Sequence, residues 1–407
     1  MKQHMVYLFK ISIAPFLIIL LFSMISYQRN AIWNDDHILW TDTRSKSPQK
    51  ARVYNNLGLI YLDQEHYEKA TLALKTALEK SIALQIKTYP ELMIEDNTKK
   101  DTASLTMLKY APHSAEIHNN LGTICLRQGK WNQAITYYEK AMALKSTYPN
   151  PFNNLGFIYN QKGQPDKAIE ALKEALRLKP SYPEAYNNLG AAYKEKRLYP
   201  HAIESYKKAI TLRPDYLRAH FSLAFIYRDM GRYQQALHQF SEILNFQPER
   251  ADVYYNIGNA YKHLGLLTEA VSSYNQALLI DQNMIKSHYN LGITYNQQGN
   301  YDKAIQSFKK VLQLKSDHID AYNNLGIAYH GQGLYQEAAA AYNQALRLNP
   351  NYTASHLNLA LIYREQKAIN KALYHLNKAS AVEPSHPQLG VIRKKILALK
   401  QEKLSND

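Results

Sequence analysis

The sequence predicts an all-α solenoid of nine helix-turn-helix repeats, led by a membrane-spanning helix and closed by a capping helix. Three observations carry this reading. A four-residue string recurs at a step of 34 residues, other columns keep its phase, and one uncharged apolar stretch stands near the N-terminus. The 407 residues also hold 33 Tyr against 10 Phe, a skew that repetition of one motif produces.

Residues 11–27 read ISIAPFLIILLFSMISY, seventeen positions without a charge. At about 1.5 Å per residue a helix of this length reaches about 26 Å, slightly short of a bilayer core of about 30 Å. Starting at Val6 adds an apolar turn and lets Lys10 snorkel to the headgroups. The competing reading is a cleaved signal peptide, which wants small residues at −3 and −1. Cleavage after Ser26 would put Met24 at −3, and cleavage after Ala31 would put Arg29 there. Residues 1–28 are therefore read as a single-span anchor. Lys2, Lys10 and the terminal amine favour a cytoplasmic N-terminus and place the repeats on the extracytoplasmic (periplasmic) side, with Arg29, Arg44 and Lys46 weakening that bias. The linker 29–50 carries Ile32, Trp33, Leu39 and Trp40; tryptophan beside a membrane segment sits at the lipid interface.

The repeat follows. NNLG occurs at 55–58, 119–122, 153–156, 187–190 and 323–326, YNIG at 255–258 and YNLG at 289–292; FSLA at 221–224 and LNLA at 357–360 are degenerate copies. The last residue of each string is a marker, at 58, 122, 156, 190, 224, 258, 292, 326 and 360. Twelve residues on there is always alanine, from Ala70 to Ala372, and three residues on there is tyrosine except at Cys125. A bulky residue follows each alanine by four, as in Tyr138, Leu172, Phe240 and Tyr342. Within a unit the apolar residues recur at helical spacing, as Tyr186, Leu189 and Tyr193 do. Each unit reads as helix A, a turn near a glycine such as Gly163 or Gly299, and helix B, with small residues letting the two helices approach. One hairpin cannot bury its apolar faces alone, so stacked neighbours cover them.

This pattern resembles the tetratricopeptide repeat over residues 51–386. The resemblance implies a right-handed superhelix with helix A lining a concave groove and helix B outside, and a protein or peptide segment as partner. The first repeat covers 51–84 and the other eight 115–386. Between them, 85–114 is an insertion with Pro90 and the polar run 97–104, either neutral or a loop touching membrane or partner. Helix B of the first repeat is expected to run on into it. Residues 387–407 form the cap: Leu389, Ile392, Ile396 and Leu399 share one face, and Arg393, Lys394, Lys395, Lys400 and Lys403 cover the remainder.

Two positions before the marker stands Asn in eight units: Asn56, Asn120, Asn154, Asn188, Asn256, Asn290, Asn324 and Asn358, with Ser222 replacing it in the fifth. An amide both donates and accepts, so such a ladder can grip an extended peptide backbone; it can equally bond the backbone within the fold. The ladder is similar to that of the O-GlcNAc transferase repeat region, where it implies substrate capture. Four residues past the marker lie Lys194, Arg228, Lys262 and Arg364, with Glu195, Asp229 and Glu365 beside three of them. His118, His220, His288 and His356 share a column with Tyr and Phe and are read as packing residues, with no metal or other cofactor expected.

The remaining totals narrow the function. A single cysteine, Cys125, excludes an intrachain disulfide framework and a cysteine-rich zinc site. A net charge of +15 favours anionic partners, but it is dispersed and no nucleic-acid reading module accompanies it, so no nucleic acid is expected. No HExxH, GxSxG, P-loop or dinucleotide fingerprint occurs, so the chain is not expected to be an enzyme. The anchor, linker and repeats together also resemble the junction in transmembrane-and-tetratricopeptide mannosyltransferase-like membrane proteins, without their multi-span part. The expected function is a membrane-anchored scaffold whose groove holds a partner protein. The alternatives are a substrate-recruiting module for a separate glycosyltransferase or envelope-assembly complex, and a self-pairing spacer.

Overall fold

The structure, a computed structural model, describes residues 35–88 and 113–406. The expected membrane segment 11–27, Ile32, Trp33 and most of the insertion lie outside the described residues. Among the described residues no helix is long and apolar enough to cross a membrane. The chain separates into two compact units, one running to Pro214 and the other from Asp215.

The first unit holds α1 (Asp36–Lys46), α2 (Ala51–Asp63), α3 (Tyr67–Thr88), α4 (Ser114–Arg127), α5 (Trp131–Leu144), α6 (Pro149–Gln161), α7 (Pro165–Leu178), α8 (Pro183–Glu195) and α9 (Tyr199–Leu212). The second holds α10 (Leu217–Asp229), α11 (Tyr233–Phe246), α12 (Ala251–His263), α13 (Leu267–Ile280), α14 (Ile285–Gln297), α15 (Tyr301–Leu314), α16 (Ile319–Gly331), α17 (Tyr335–Leu348), α18 (Thr353–Glu365), α19 (Ile369–Val382) and α20 (Gln388–Asn406). From α2 to α19 each even-numbered helix is helix A of a hairpin and the next is its helix B.

Several helix starts are written locally. Proline occupies the first turn of α6, α7, α8 and α9, where its missing N–H leaves nothing unpaired. Helix A ends in a six-residue bonding turn. In α6 the Gln164 N–H reaches back to the Tyr159 carbonyl at 2.9 Å and the Gly163 N–H to Asn160 at 3.0 Å. This geometry puts the residue seven past the marker at positive φ in all nine hairpins. Six of these residues are glycine, but Glu65 (59°), Arg197 (58°) and Lys367 (57°) adopt it with a side chain.

The hairpin closes where the residue sixteen past the marker meets the small marker residue. A Cβ on Gly190 would fall 2.7 Å from the Tyr206 ring, and one on Gly258 2.6 Å from Tyr274. The alanine column is equally tight, fully buried from Ala70 to Ala372. Successive hairpins share their cores. Leu62, Ala70 and Leu74 of the first pack with Ile117, Leu121 and Ile124 of α4, so the stack continues past the insertion. Arg127 reinforces that step, donating to the Leu62 carbonyl at 3.0 Å.

Both ends of the array are covered. In the second unit Leu389, Ile392 and Ile396 of α20 are buried against Leu357, Ala360, Leu376 and Ala379, while Arg393, Lys394 and Lys395 stay exposed. That is the expected cap. At the other end part of the expected linker is helical: α1 starts on Asp35, whose Oδ1 accepts from Ile38 N–H at 3.0 Å, and packs on α2 without burying any residue. Helix α3 runs 22 residues, to Thr88, where the other B helices have 14.

Within the last hairpin, His356 of α18 and His375 of α19 meet Nδ1 to Nδ1 at 3.0 Å. His356 Nε2 donates to the Pro350 carbonyl at 3.0 Å, so its Nδ1 accepts the His375 proton. Burial lowers the pKa of both, with Lys378 adding to it at His356 and His356 itself at His375, which is pushed down to about 4. Tyr363 and Tyr374 supply the other faces around His375.

Two measurements test these readings. Arg197→Gly should raise the thermal midpoint, since glycine holds the left-handed conformation without the roughly 1 kcal/mol that a side chain costs there, whereas Gly231→Ala should lower it. For the histidines, a folded pKa below the unfolded value of about 6.5 means that the unfolded chain takes up protons first. Their contribution is complete above that pH and is lost as pH falls toward 4. His375→Gln copies the equivalent His220–Gln239 pair, bonded at 3.0 Å, and should flatten the loss of thermal midpoint between pH 7.5 and 4.5.

Candidate partner-binding face

Helix A carries all twelve residues singled out by the sequence, and their surroundings differ sharply. The eight asparagines of the ladder are half-buried. In the first unit three Nδ2 groups donate to the side chain three before the marker in the preceding repeat: Asn120 to Asn55 Oδ1 at 3.0 Å, Asn154 to Asn119 at 3.1 Å, and Asn188 to Asn153 at 2.9 Å. In the second unit Asn358 does the same to Asn323 at 3.0 Å. Where that acceptor position holds tyrosine the phenol substitutes: Asn290 donates to Tyr255 Oη at 3.2 Å and Asn324 to Tyr289 Oη at 3.1 Å. Asn256 follows Phe221, which has no acceptor, and turns to the Asp252 carbonyl of its own helix at 2.7 Å.

The amides therefore bond within the fold, more through neighbouring side chains than through backbone. Both residues of the NN doublet take part, the buried first as acceptor and the half-buried second as donor to it. Asn55, Asn119, Asn153 and Asn323 were not singled out by sequence reasoning, although the doubling of Asn was the visible sign of them. Asn120, Asn154, Asn188 and Asn358 engage one N–H in this way, while Asn290 and Asn324 donate a second bond, to Asn259 Oδ1 and to the Asp320 carbonyl, each at 2.8 Å. For Asn188, Asn290, Asn324 and Asn358 no donor occupies Oδ1 among the described residues.

The basic column is uneven. Lys194 is half-buried on α8. Arg228 Nη2 pairs with Asp229 at 2.7 Å and its guanidinium lies 4.8 Å from the Phe225 ring centre. Arg364 pairs with Glu365 at 3.2 Å, and Glu365 also accepts from His330 at 2.8 Å. Lys262 is half-buried with no ion pair among the described residues, and burial alone lowers its pKa. In the same column Asn160 and Asn296 donate to the backbone carbonyls of Asn188 and Asn324 at 2.9 and 3.2 Å.

The histidine column packs as expected: His118 Nδ1 bonds the Ser114 carbonyl at 2.8 Å and His288 Nε2 that of Gln282 at 3.0 Å. Among the described residues no three His, Cys, Asp or Glu side chains are grouped to hold a metal ion. Beneath the face, buried tyrosines reach up to the residue one past the marker. Tyr274 Oη donates to Asn259 Oδ1 at 2.7 Å and Tyr138 meets Thr123 at 3.3 Å. Above Tyr342 the equivalent position is Ile327, and the buried hydroxyl has no hydrogen-bond partner among the described residues. Burial pushes the Tyr138 phenol up to about 12.

Helix hairpins repeating every 34 residues, each seated on a small residue and several tied to a neighbour through side-chain amides, define a helical-repeat protein. The chain belongs to the tetratricopeptide-repeat family. Models described as tetratricopeptide repeat match residues 51–79, 183–216, 205–238, 249–317, 283–351 and 323–386, and one described as TPR repeat matches 122–163, 157–196 and 226–265. No curated protein matches the chain. Among solved structures, the C-terminal part of a TPR repeat-containing protein from Cytophaga hutchinsonii is 19% identical, with a TM-score of 0.52, covering 59% of this chain and 98% of that one. It shares the fold. MamA from Desulfovibrio magneticus RS-1 is 25% identical, with a TM-score of 0.39 over 42% of this chain and 96% of its own. YrrB, described as a TPR protein with an unusual peptide-binding site, is 21% identical, with a TM-score of 0.41 over 46% and 96%.

The buried phenols give a paired test. Tyr274→Phe should lower the thermal midpoint, with a loss of about 1 kcal/mol for the hydrogen bond. Tyr342→Phe removes a buried hydroxyl that bonds nothing, so it should leave the midpoint unchanged or raise it.

Proposed function

We propose that this protein is a membrane-anchored scaffold, without chemistry of its own, that holds an extended segment of a partner protein on its helix-A face. The carrying observation is the fixed amide row. A bond to the preceding repeat holds Asn188, Asn290, Asn324 and Asn358 in one orientation. Their Oδ1 atoms then remain to accept backbone N–H groups of a ligand, those of Asn290, Asn324 and Asn358 at three successive levels of the second unit. A side chain already held in place loses less entropy on binding, which favours a row of this kind over freely rotating amides. The anchoring belongs to the same proposal. It rests on the seventeen uncharged residues 11–27, with the repeats on the extracytoplasmic side by the placement of Lys2 and Lys10.

The test is site-specific photocrosslinking in cells. Probes at Ala191 and Ile293 lie one turn past Asn188 and Asn290, so they report on that face and leave the amides intact. Probes at Lys207 and Lys309, exposed on helix B, are controls. One discrete protein captured only from the helix-A face is the expected result. A captured glycosyltransferase would make the chain a substrate-delivering module, and self-crosslinks would make it a spacer. The same diffuse background from both faces would refute the scaffold.

A further inference from the structure

In three of four repeats the basic residue four past the marker is followed by an acid: Lys194 by Glu195, Arg228 by Asp229, Arg364 by Glu365. Lys262 is followed by His263, which is stacked on Tyr233 with ring centres 4.7 Å apart and planes 2° from parallel. Among the described residues no carboxylate pairs with Lys262, and it does not make the carbonyl bond that Asn160 and Asn296 make from the same column. A half-buried ammonium without an anion is held at a cost, and its lowered pKa, caused by burial alone, reports that cost.

One turn earlier on the same helix stands Asn259. Its Oδ1 accepts from Tyr274 Oη at 2.7 Å and from Asn290 Nδ2 at 2.8 Å, which fixes the amide plane. Its Nδ2 is left without an acceptor among the described residues. Residues three apart on a helix are neighbours on its surface. Asn259 and Lys262 thus place two unused donors side by side, one neutral and one charged, the combination that suits a carboxylate.

The flanks differ in character. In the preceding repeat the position of Asn259 is Phe225, and in the two that follow it is Ile293 and Ile327, the last 37% exposed. Helices packed in layers lie roughly 10 Å apart. An extended chain advances about 3.3 Å per residue, so side chains about three residues apart reach successive repeats.

We propose that Lys262 Nζ and Asn259 Nδ2 anchor one acidic side chain of an extended partner segment, whose apolar side chains on either side rest on Phe225 and Ile293. This rests on the scaffold reading and names the chemistry of the partner. The net charge of +15 favours the approach of such a segment.

The test pans a library of nine-residue peptides, randomised throughout, against the full chain in detergent micelles. The expected outcome is enrichment of Glu or Asp over Gln or Asn at one position by roughly tenfold, as a charge-assisted bond supplies, with apolar residues about three positions to each side. Lys262→Asn copies the residue that two other repeats carry in this column, so the variant folds, and it should abolish the acidic enrichment. Lys207→Asn should not. Absence of acidic enrichment, or enrichment that survives Lys262→Asn, overturns the anchor. The crosslinking experiment separates the two levels: a partner still captured at Ile293 by the Lys262→Asn chain with undiminished yield sinks the anchor and leaves the scaffold. Equal background from all probes removes both.

Discussion

Every hairpin depends on one contact, the seating of the side chain sixteen past the marker on the backbone of the marker residue. Tyr138, Tyr274, Tyr342, Phe240 and Phe308 are among the largest fully buried side chains, and each lies over a marker glycine or alanine. The depth of this seat sets the distance between helix A and helix B. It is adjustable: where the marker is Ala224 or Ala360 the partner is Phe240 or Leu376, neither bearing a hydroxyl. A methyl group is therefore tolerated at some levels and would collide at others, which makes the seat a property of the pair. Overpacking a fixed seat costs about 1–3 kcal/mol because the rigid ring has little room to yield.

With each hairpin closed, the second requirement is to hold one repeat in step with the next. Apolar contacts between hairpins are non-directional and define position weakly along the helix axis. The asparagine row supplies direction, because a hydrogen bond is satisfied only over a narrow range of distance and angle. Its acceptors show how the requirement is met on different sequences. The same donor finds an amide at Asn153, a phenol at Tyr255, and its own backbone when Phe221 offers nothing. Each bond contributes about 1 kcal/mol, small beside the apolar burial, so its effect is mostly on register.

The division between what the sequence disclosed and what it did not follows from this. Periodicity located the helices, the marker seat and the apolar face of α20, since all three are single-residue properties repeated in phase. It could place Asn188 on helix A but not say where its hydrogens go, because the acceptor is 35 residues away. The turn gave a similar partial result. Six glycines pointed to it, whereas Glu65, Arg197 and Lys367 adopt the same positive φ under the pull of the two back-bonds that end helix A. Helix α1 was missed because its signature is one capping aspartate, Asp35, without a buried stripe.

A repeated skeleton also changes what counts as information. Columns that keep one residue or one small size are accounted for by folding, as the alanines and the marker residues are, so they say little about partners. Departures from the pattern are different, since the fold has been satisfied otherwise at eight other levels. Phe221 and Phe225 interrupt the polar row with aromatic surface, and Arg250 and Arg228 lie over them with guanidinium carbons 5.1 and 4.8 Å from the ring centres. Both arginines are also paired with acids, Asp252 and Asp229, so their charge is already balanced. Balanced pairs at an exposed surface contribute little to either stability or affinity. The balance of the neighbouring levels is what gives meaning to a level where the acid is replaced by a ring. At such a level the fold bears an uncompensated desolvation, and occupation by an anion removes it.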